Sequence, residues 1–248
     1  MPNADCMILL AVLLPPTALQ ILGNVVEEQT ITTPYGDVGP LALRMPLDGP
    51  PVWIAPYTGL PDRTDPRATI FAARELGARR ILGWEQGAGL SPTLEPGHSV
   101  VAEDYIDWTR RGPDTFVERR RTDFDADALA RRPAFCPEMS QALHRTLPHA
   151  TNGIYLATDG PRRETPAEAR LYHRLGADVL GHNLVPEAAL AQELGLCFAG
   201  LITLGARGAD RTPSPRRNVV RGELHAILNA LPGYLAGLRD APTCSCAE

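Results

Sequence analysis

Three times in this chain a helical stretch stops at a glycine and runs directly into an apolar, β-type segment. The junctions read Glu75-Leu76-Gly77-Ala78, Arg174-Leu175-Gly176-Ala177 and Glu193-Leu194-Gly195-Leu196. Glycine after the last turn adopts the left-handed conformation that ends a helix without a Cβ clash. Repeated helix–glycine–strand units specify an α/β fold, with a mostly parallel mixed sheet at the centre and helices on its faces. Strands are expected at 7–14, 52–55, 80–83, 99–102, 153–157, 179–182 and 197–204. Several of these are apolar on both faces, as strands covered on both sides must be. Helices are expected at 67–77, 137–147, 165–176, 186–195 and 220–238. No internal repeat and no low-complexity linker divides the chain, so one domain over 1–248 is expected. The stretch 107–132 is dense in charge and turn residues and reads as a long loop with a short helix. The stretch 208–217 reads as a second polar loop.

Composition then narrows the chemistry. All 24 cations are arginine, against 29 acidic residues, for a formal charge of −5. Without lysine there is no Schiff-base amine, no lysine base and no Walker-type phosphate loop. A mildly acidic chain is poorly suited to nucleic acid or an anionic membrane, since that affinity is mostly cationic charge meeting phosphate. The apolar run 7–14 is too short to span a bilayer. Asp5 before it and Pro15-Pro16 after it do not make a signal peptide, so a cytoplasmic location is expected.

The five cysteines are Cys6, Cys136, Cys197, Cys244 and Cys246. An odd count at wide spacing argues against a disulfide framework. Only Cys244-Ser245-Cys246 is a close pair, so no metal site is expected from spacing. The tail bearing that pair reads as exposed and mobile in a reducing compartment, with a strained Cys244–Cys246 disulfide as the alternative. His98, His144, His149 and His225 read as loop or surface residues. Glu118-Arg119-Arg120-Arg121 reads as a solvated charge run. There is no H-E-x-x-H and no G-x-S-x-G.

Several segments, in order, resemble the trimeric purine nucleoside phosphorylase and methylthioadenosine phosphorylase family. They are Thr32-Thr33-Pro34-Tyr35-Gly36, Pro66-Arg67-Ala68-Thr69-Ile70, Glu95-Pro96-Gly97-His98 with Asp104-Tyr105-Ile106-Asp107, and Phe135-Cys136-Pro137. They continue through Gly153-Ile154-Tyr155, Gly160-Pro161-Arg162-Arg163-Glu164-Thr165, Gly176-Ala177-Asp178-Val179-Leu180-Gly181 and Val185-Pro186-Glu187. The Cys244/Cys246 pair is similar to a CxC in some heat-stable members. The resemblance implies a nucleoside phosphorylase-like fold and cleavage of a purine N-glycosidic bond, in purine nucleosides or their 5′-methylthio analogues. It implies a homotrimer, with 107–133 as the candidate contact, and no cofactor.

The chain departs from that family where phosphate is bound. The family's glycine-rich turn after the first strand is here Leu13-Leu14-Pro15-Pro16-Thr17, and proline has no N–H to offer an anion. The Arg-His-Gly segment is replaced by Pro56-Tyr57-Thr58-Gly59-Leu60, with Arg63 nearby. The third element becomes Glu85-Gln86-Gly87-Ala88-Gly89-Leu90, with a carboxylate in place of a small hydroxyl. Phosphate is therefore a doubtful co-substrate on the sequence. Glu85 is read either as a base for water or as the structural partner of Arg67. His182 falls where the family packs a methionine under the ribose. It is read either as a core histidine bonded to backbone or as a sugar-contacting acid–base group. The candidate catalytic residues are Glu85 and His182. The candidate substrate contacts are Arg67, Gln86, Gly87, Arg163, Glu164 and Asn183; the resemblance implies that Glu164 faces the purine edge or supports the pocket. Asp159 reads as a turn residue. The family's donor to purine N7 is missing at Gly205-Ala206-Arg207, unless the loop bends Arg207 or Asp210 into that place. A nucleosidase using water, and an inactive ligand-binding or assembly subunit, are the alternatives.

Overall fold

Each helix–glycine–strand unit is realised as expected. Gly77, Gly176 and Gly195 sit at φ +80°, +96° and +69°, each directly after a helix. In the computed structural model the described residues are 4–57, 65–110, 114–117, 132–160, 162–210, 217–238 and 241–247. Most of the expected loop 107–132, the run Glu118–Arg121, Arg63 and the segment Thr58-Gly59-Leu60 lie outside them.

The strands are β1 (Cys6–Ala11), β2 (Asn24–Thr33), β3 (Gly36–Met45), β4 (Val52–Pro56), β5 (Arg80–Gly89), β6 (Ser99–Asp107), β7 (Thr151–Ala157), β8 (Val179–Gly181) and β9 (Cys197–Arg207). The helices are α1 (Pro66–Glu75), α2 (Pro137–Thr146), α3 (Pro166–Arg174), α4 (Glu187–Glu193) and α5 (Arg217–Ala236). They form one mixed sheet in the order β2-β3-β4-β1-β5-β8-β7-β6-β9. β5 also pairs with β9, so the strands from β5 round to β9 close on themselves. β1 runs parallel to β4 and β5, and β5 parallel to β9. β8 crosses antiparallel to the far end of β5.

Two apolar cores lie on opposite faces of the sheet. One gathers Met7, Leu9, Ile81, Tyr155, Leu184 and Phe198. The other gathers Ile8, Leu82, Trp84, Met139, Leu228 and Tyr234. Alternate residues of β1 and β5 divide between them, as the two-residue period of a strand requires. This double burial is why those strands are continuous apolar runs.

Two features differ from the expectation. β5 continues to Gly89, because after its apolar half it still has β9 and then β8 to pair with. The close approach to β8 requires glycine at 87, where a Cβ would stand 2.7 Å from the Leu180 carbonyl oxygen and 2.6 Å from Ile202 Cγ2. The β2–β3 hairpin was not expected at all. β2 is largely exposed and polar (Asn-Val-Val-Glu-Glu-Gln-Thr-Ile-Thr-Thr), so it carries little apolar signal. Its turn is held by the Thr33 hydroxyl, which donates to the Gly36 carbonyl at 2.7 Å.

No helix among the described residues is long and apolar enough to cross a membrane.

Candidate active site

β8 pairs antiparallel with the last residues of β5, which brings its C-terminal end towards the middle of that strand, and a buried carboxylate occupies the junction. Glu85 is 0% exposed and lies in register with Ala11 of β1 and Ile202 of β9. Its Oε2 accepts from the His182 amide at 3.1 Å and from Asn183 Nδ2 at 2.8 Å. Both donors follow directly on β8, so one oxygen fixes the turn that leaves that strand. Gly181 makes room for it: a Cβ there would stand 2.1 Å from Glu85 Oε1 and 2.7 Å from the Tyr155 hydroxyl.

Tyr155, 0% exposed on β7, stands against the same carboxylate and accepts from the Asn183 amide at 3.1 Å. Burial, and then the charge of Glu85, push its ionisation well above the ordinary phenol range. It stays a neutral hydroxyl and works as a spacer between β7 and the Glu85–Asn183 pair. Sequence reading missed Tyr155, because an aromatic within an apolar strand looks like core. It also gave no role to Glu187, which is 3% exposed and accepts from the Tyr57 hydroxyl. The signal for Glu187 was the Val-Pro-Glu segment itself.

The His182 ring is oriented from the other side. Its Nδ1 lies 2.9 Å from the Thr158 carbonyl oxygen and 3.0 Å from Thr158 Oγ1. A carbonyl can only accept, so Nδ1 donates to it and is not free for another partner. A Cβ at Gly160 would stand 3.3 Å from His182 Nε2. Gly160 and Thr158 line a cleft with Trp108, Asp159, Glu164 and Tyr172. His182 is thus bonded to backbone, as one of its two sequence readings had it, and its ring lies beside Gly160 at the back of this cleft.

Glu164 enters the cleft from the loop before α3. The Thr165 hydroxyl caps that helix, accepting from the Glu168 amide at 3.2 Å, while Glu168 accepts from the Thr165 amide at 2.7 Å. This reciprocal cap with Pro166 in the first turn sets where the loop ends. Glu164 Oε1 is buried and has no hydrogen-bond partner among the described residues. A buried, unpaired carboxylate oxygen costs stability unless something donates to it.

The structure separates the other candidates from this group. Arg67 does not pair with Glu85. Its guanidinium bonds Asp65 at 2.8 Å and lies 4.5 Å above the Tyr35 ring. The reason is local: Asp65 caps α1, accepting from the Arg67 amide at 2.9 Å, and accepts from its guanidinium as well. Gln86 is exposed and folds over Gly205, where a Cβ would stand 2.2 Å from its Nε2. Gly87 serves strand packing, as described above. Arg163 is exposed and outside the cleft lining. Asp159 accepts from the Arg110 amide at 3.1 Å, in keeping with a turn role. The tail is not exposed throughout, because Cys246 is 4% exposed.

The phosphorylase superfamily model matches residues 14–230. A 6-oxopurine nucleoside phosphorylase from Pyrococcus furiosus is 34% identical over 239 residues, covering 90% of this chain and 90% of the relative. A probable S-methyl-5′-thioinosine phosphorylase from Methanosarcina acetivorans is 36% identical over 234 residues, covering 89% of this chain and 87% of the relative. The crystal structure of a methylthioadenosine phosphorylase from an antarctic soil metagenomic library shares the fold. Its TM-score is 0.83 at 22% identity, over 100% of this chain and 91% of that one. The match across most of the length, and relatives above 30% identity that align over about nine tenths of the chain, establish that this chain belongs to the phosphorylase superfamily.

Proposed function

We propose that the chain cleaves the N-glycosidic bond of a purine nucleoside, 5′-methylthio forms included, passing the sugar to phosphate as the names of its relatives imply. The observation that carries this reading is the Glu164 carboxylate, which lines the cleft with Thr158 and Gly160 and whose buried Oε1 has no hydrogen-bond partner among the described residues. A 6-oxopurine offers an N1–H and a 6-aminopurine an exocyclic N–H, and either would supply the missing donor. In this reading His182 lies beneath the sugar. Asn183 and Glu85 hold the turn that positions it. Stabilising the departing purine at its edge is the differential binding that speeds such a reaction.

A specific observation favours a second reading, with water as the nucleophile and Glu85 as its base. Arg67 is already neutralised by Asp65, which leaves that cation little attraction for phosphate. Both readings place the protein in purine salvage as a cytoplasmic homotrimer, in keeping with its five free cysteines.

The test is chromatographic product analysis over inosine, guanosine, adenosine and their 5′-methylthio analogues, with and without phosphate. Free base with sugar phosphate supports phosphorolysis. Free base with free sugar in the absence of phosphate supports hydrolysis. No turnover of any substrate rejects both and leaves a binding or assembly role. Light scattering at micromolar concentration tests the trimer, and a monomeric mass rejects it.

A further inference from the structure

Four of the five cysteines converge at the end of the sheet away from the cleft. Cys136 stands at the N-terminus of α2, Cys197 opens β9, and Cys244 and Cys246 come from the C-terminal segment. Their sulfurs all lie within 4.8 Å of one another. Cys244 Sγ is 3.6 Å from Cys136 Sγ and 3.3 Å from Cys197 Sγ. Cys136, Cys197 and Cys246 are 2%, 1% and 4% exposed, and all the thiols are free. Spacing in the sequence did not suggest this group, because only two of its members are neighbours along the chain.

The group has the dimensions of a metal site. Zinc bound at about 2.3 Å by four tetrahedral sulfurs sets those sulfurs roughly 3.8 Å apart, close to the separations found. Only small side-chain adjustments separate these thiols from that arrangement.

The C-terminal segment is fastened so as to deliver its two thiols. Glu138, in the first turn of α2, accepts from the Thr243 amide at 2.8 Å and from its hydroxyl at 2.9 Å. Arg80, 1% exposed, donates to Glu138 at 3.0 Å and to the Leu238 carbonyl at 2.6 Å. A buried arginine therefore holds both the helix and the chain leading to Cys244. The N-terminal end of α2 supplies positive potential beside Cys136, whose sulfur carries negative charge when bound to a metal; the charge of Arg80 itself is taken up by Glu138 and Asp5.

A second observation points the same way. Tyr234 is 1% exposed, and its hydroxyl has no hydrogen-bond partner among the described residues. It belongs to the same core cluster as Cys136, Cys197 and Cys246. A phenol O–H beside a metal thiolate has a natural acceptor, and donors to the ligating sulfur are a regular part of such sites.

We propose that Cys136, Cys197, Cys244 and Cys246 bind one zinc ion in a closed, four-sulfur structural site. Each ligating thiol gives its proton to solvent as its S–Zn bond forms, and no oxidant is involved. Four protein ligands leave no open position, so the ion takes no part in chemistry. Its place agrees with that. Cys197 pairs with Arg80, and Glu85 lies five residues further along β5, roughly 16 Å away at about 3.3 Å per residue. The ion would tie the C-terminal segment to the sheet.

The test uses the full chain, reduced, stripped with a chelator and then titrated with zinc or cobalt under anaerobic conditions. One zinc per chain by elemental analysis is expected, with the intense visible bands of tetrahedral cobalt thiolate. Four thiols should be shielded from an alkylating reagent by zinc. Cys6→Ser should keep the metal, and the double variant Cys244→Ser/Cys246→Ser should lose it. If that double variant fails to fold, the cobalt spectrum of the unaltered chain decides. A folded, fully reduced chain that binds no zinc and gives no cobalt thiolate bands overturns the proposal. So does pairwise oxidation of the four thiols to disulfides in the presence of saturating zinc.

Discussion

Asn183 donates its side-chain amide to Glu85 Oε2 at 2.8 Å across a junction that is closed to solvent. The two residues are far apart in sequence and meet because β8 pairs antiparallel with the end of β5. The His182 amide shares the same oxygen at 3.1 Å, so this carboxylate governs where the His182 ring begins.

That arrangement predicts a split between two substitutions. Glu85→Ala leaves two buried donors unsatisfied, each costing about 1–3 kcal/mol, so a loss of about 3 kcal/mol in urea unfolding is expected. Glu85→Gln keeps an acceptor oxygen for Asn183 and should cost about 1 kcal/mol. If Glu85 only positions His182, Glu85→Gln retains measurable turnover with an unchanged pH profile. If Glu85 is the base for water, the same variant folds and is inactive. Full activity in Glu85→Gln together with reduced stability would remove Glu85 from the mechanism altogether.

Glu164 gives a prediction about specificity. Its unpaired oxygen suits a donor on the purine, and the loss of one charged hydrogen bond is worth about 1.5–3 kcal/mol. Glu164→Gln should therefore lower kcat/KM roughly 10- to 100-fold on a 6-oxopurine nucleoside. The same variant should melt no lower than the parent, since it replaces a half-buried carboxylate whose Oε1 has no hydrogen-bond partner among the described residues. Equal kcat/KM for parent and variant on every nucleoside would place the purine elsewhere.

How much of this was legible in the sequence depends on the range over which each feature is encoded. The helix stops at Gly77, Gly176 and Gly195 are local events, read correctly from a single glycine each. The hairpin of β2 and β3 is equally local but exposed and polar, so hydrophobic periodicity had nothing to register. The Arg67–Asp65 pair was also within reach. An aspartate before Pro66 is a helix-cap signal, and a cap two residues from an arginine competes with any distant carboxylate. The Glu85–Asn183 bond, the Tyr155 hydroxyl and the meeting of four cysteines depend on strand order and on the antiparallel crossing of β8 onto β5. No spacing rule along the chain contains those.

Glu168 yields the pH prediction. The Arg162 guanidinium, bonding it at 2.8 and 2.9 Å, and then the Thr165 amide hold its ionisation down to about 2, against 4.5 for a free side chain. A depressed acid contributes stability that is present above its unfolded value and lost as pH falls through its folded one. The contribution should therefore be intact above about pH 4.5 and fade towards pH 2. The Glu168 carboxylate resonance, followed by NMR, should titrate near the lower limit. In Arg162→Ala it should move back towards the ordinary glutamate range. A midpoint in the parent that is already ordinary would show the pair to be absent in solution.

The last prediction concerns Arg67, the cation that the sequence brings forward for phosphate. Arg67 is held by Asp65 and stacked on Tyr35, and the strand that feeds the anion site in the family here runs into Pro15-Pro16. Neutralised in this way, Arg67 should draw phosphate weakly. A ligand at 100 times its dissociation constant stabilises by about 2.7 kcal/mol, so a tight phosphate site would be plain in a melting experiment. Millimolar phosphate is expected to leave the parent's Tm nearly unchanged. Asp65→Asn separates charge from structure, because asparagine caps a helix about as well as aspartate. This variant should keep the parent's stability in the absence of phosphate and bind phosphate about tenfold more tightly, the effect of removing about 1.4 kcal/mol of competing attraction. A large, saturable rise in the parent's Tm, or no gain in Asp65→Asn, would mean that phosphate is held without Arg67.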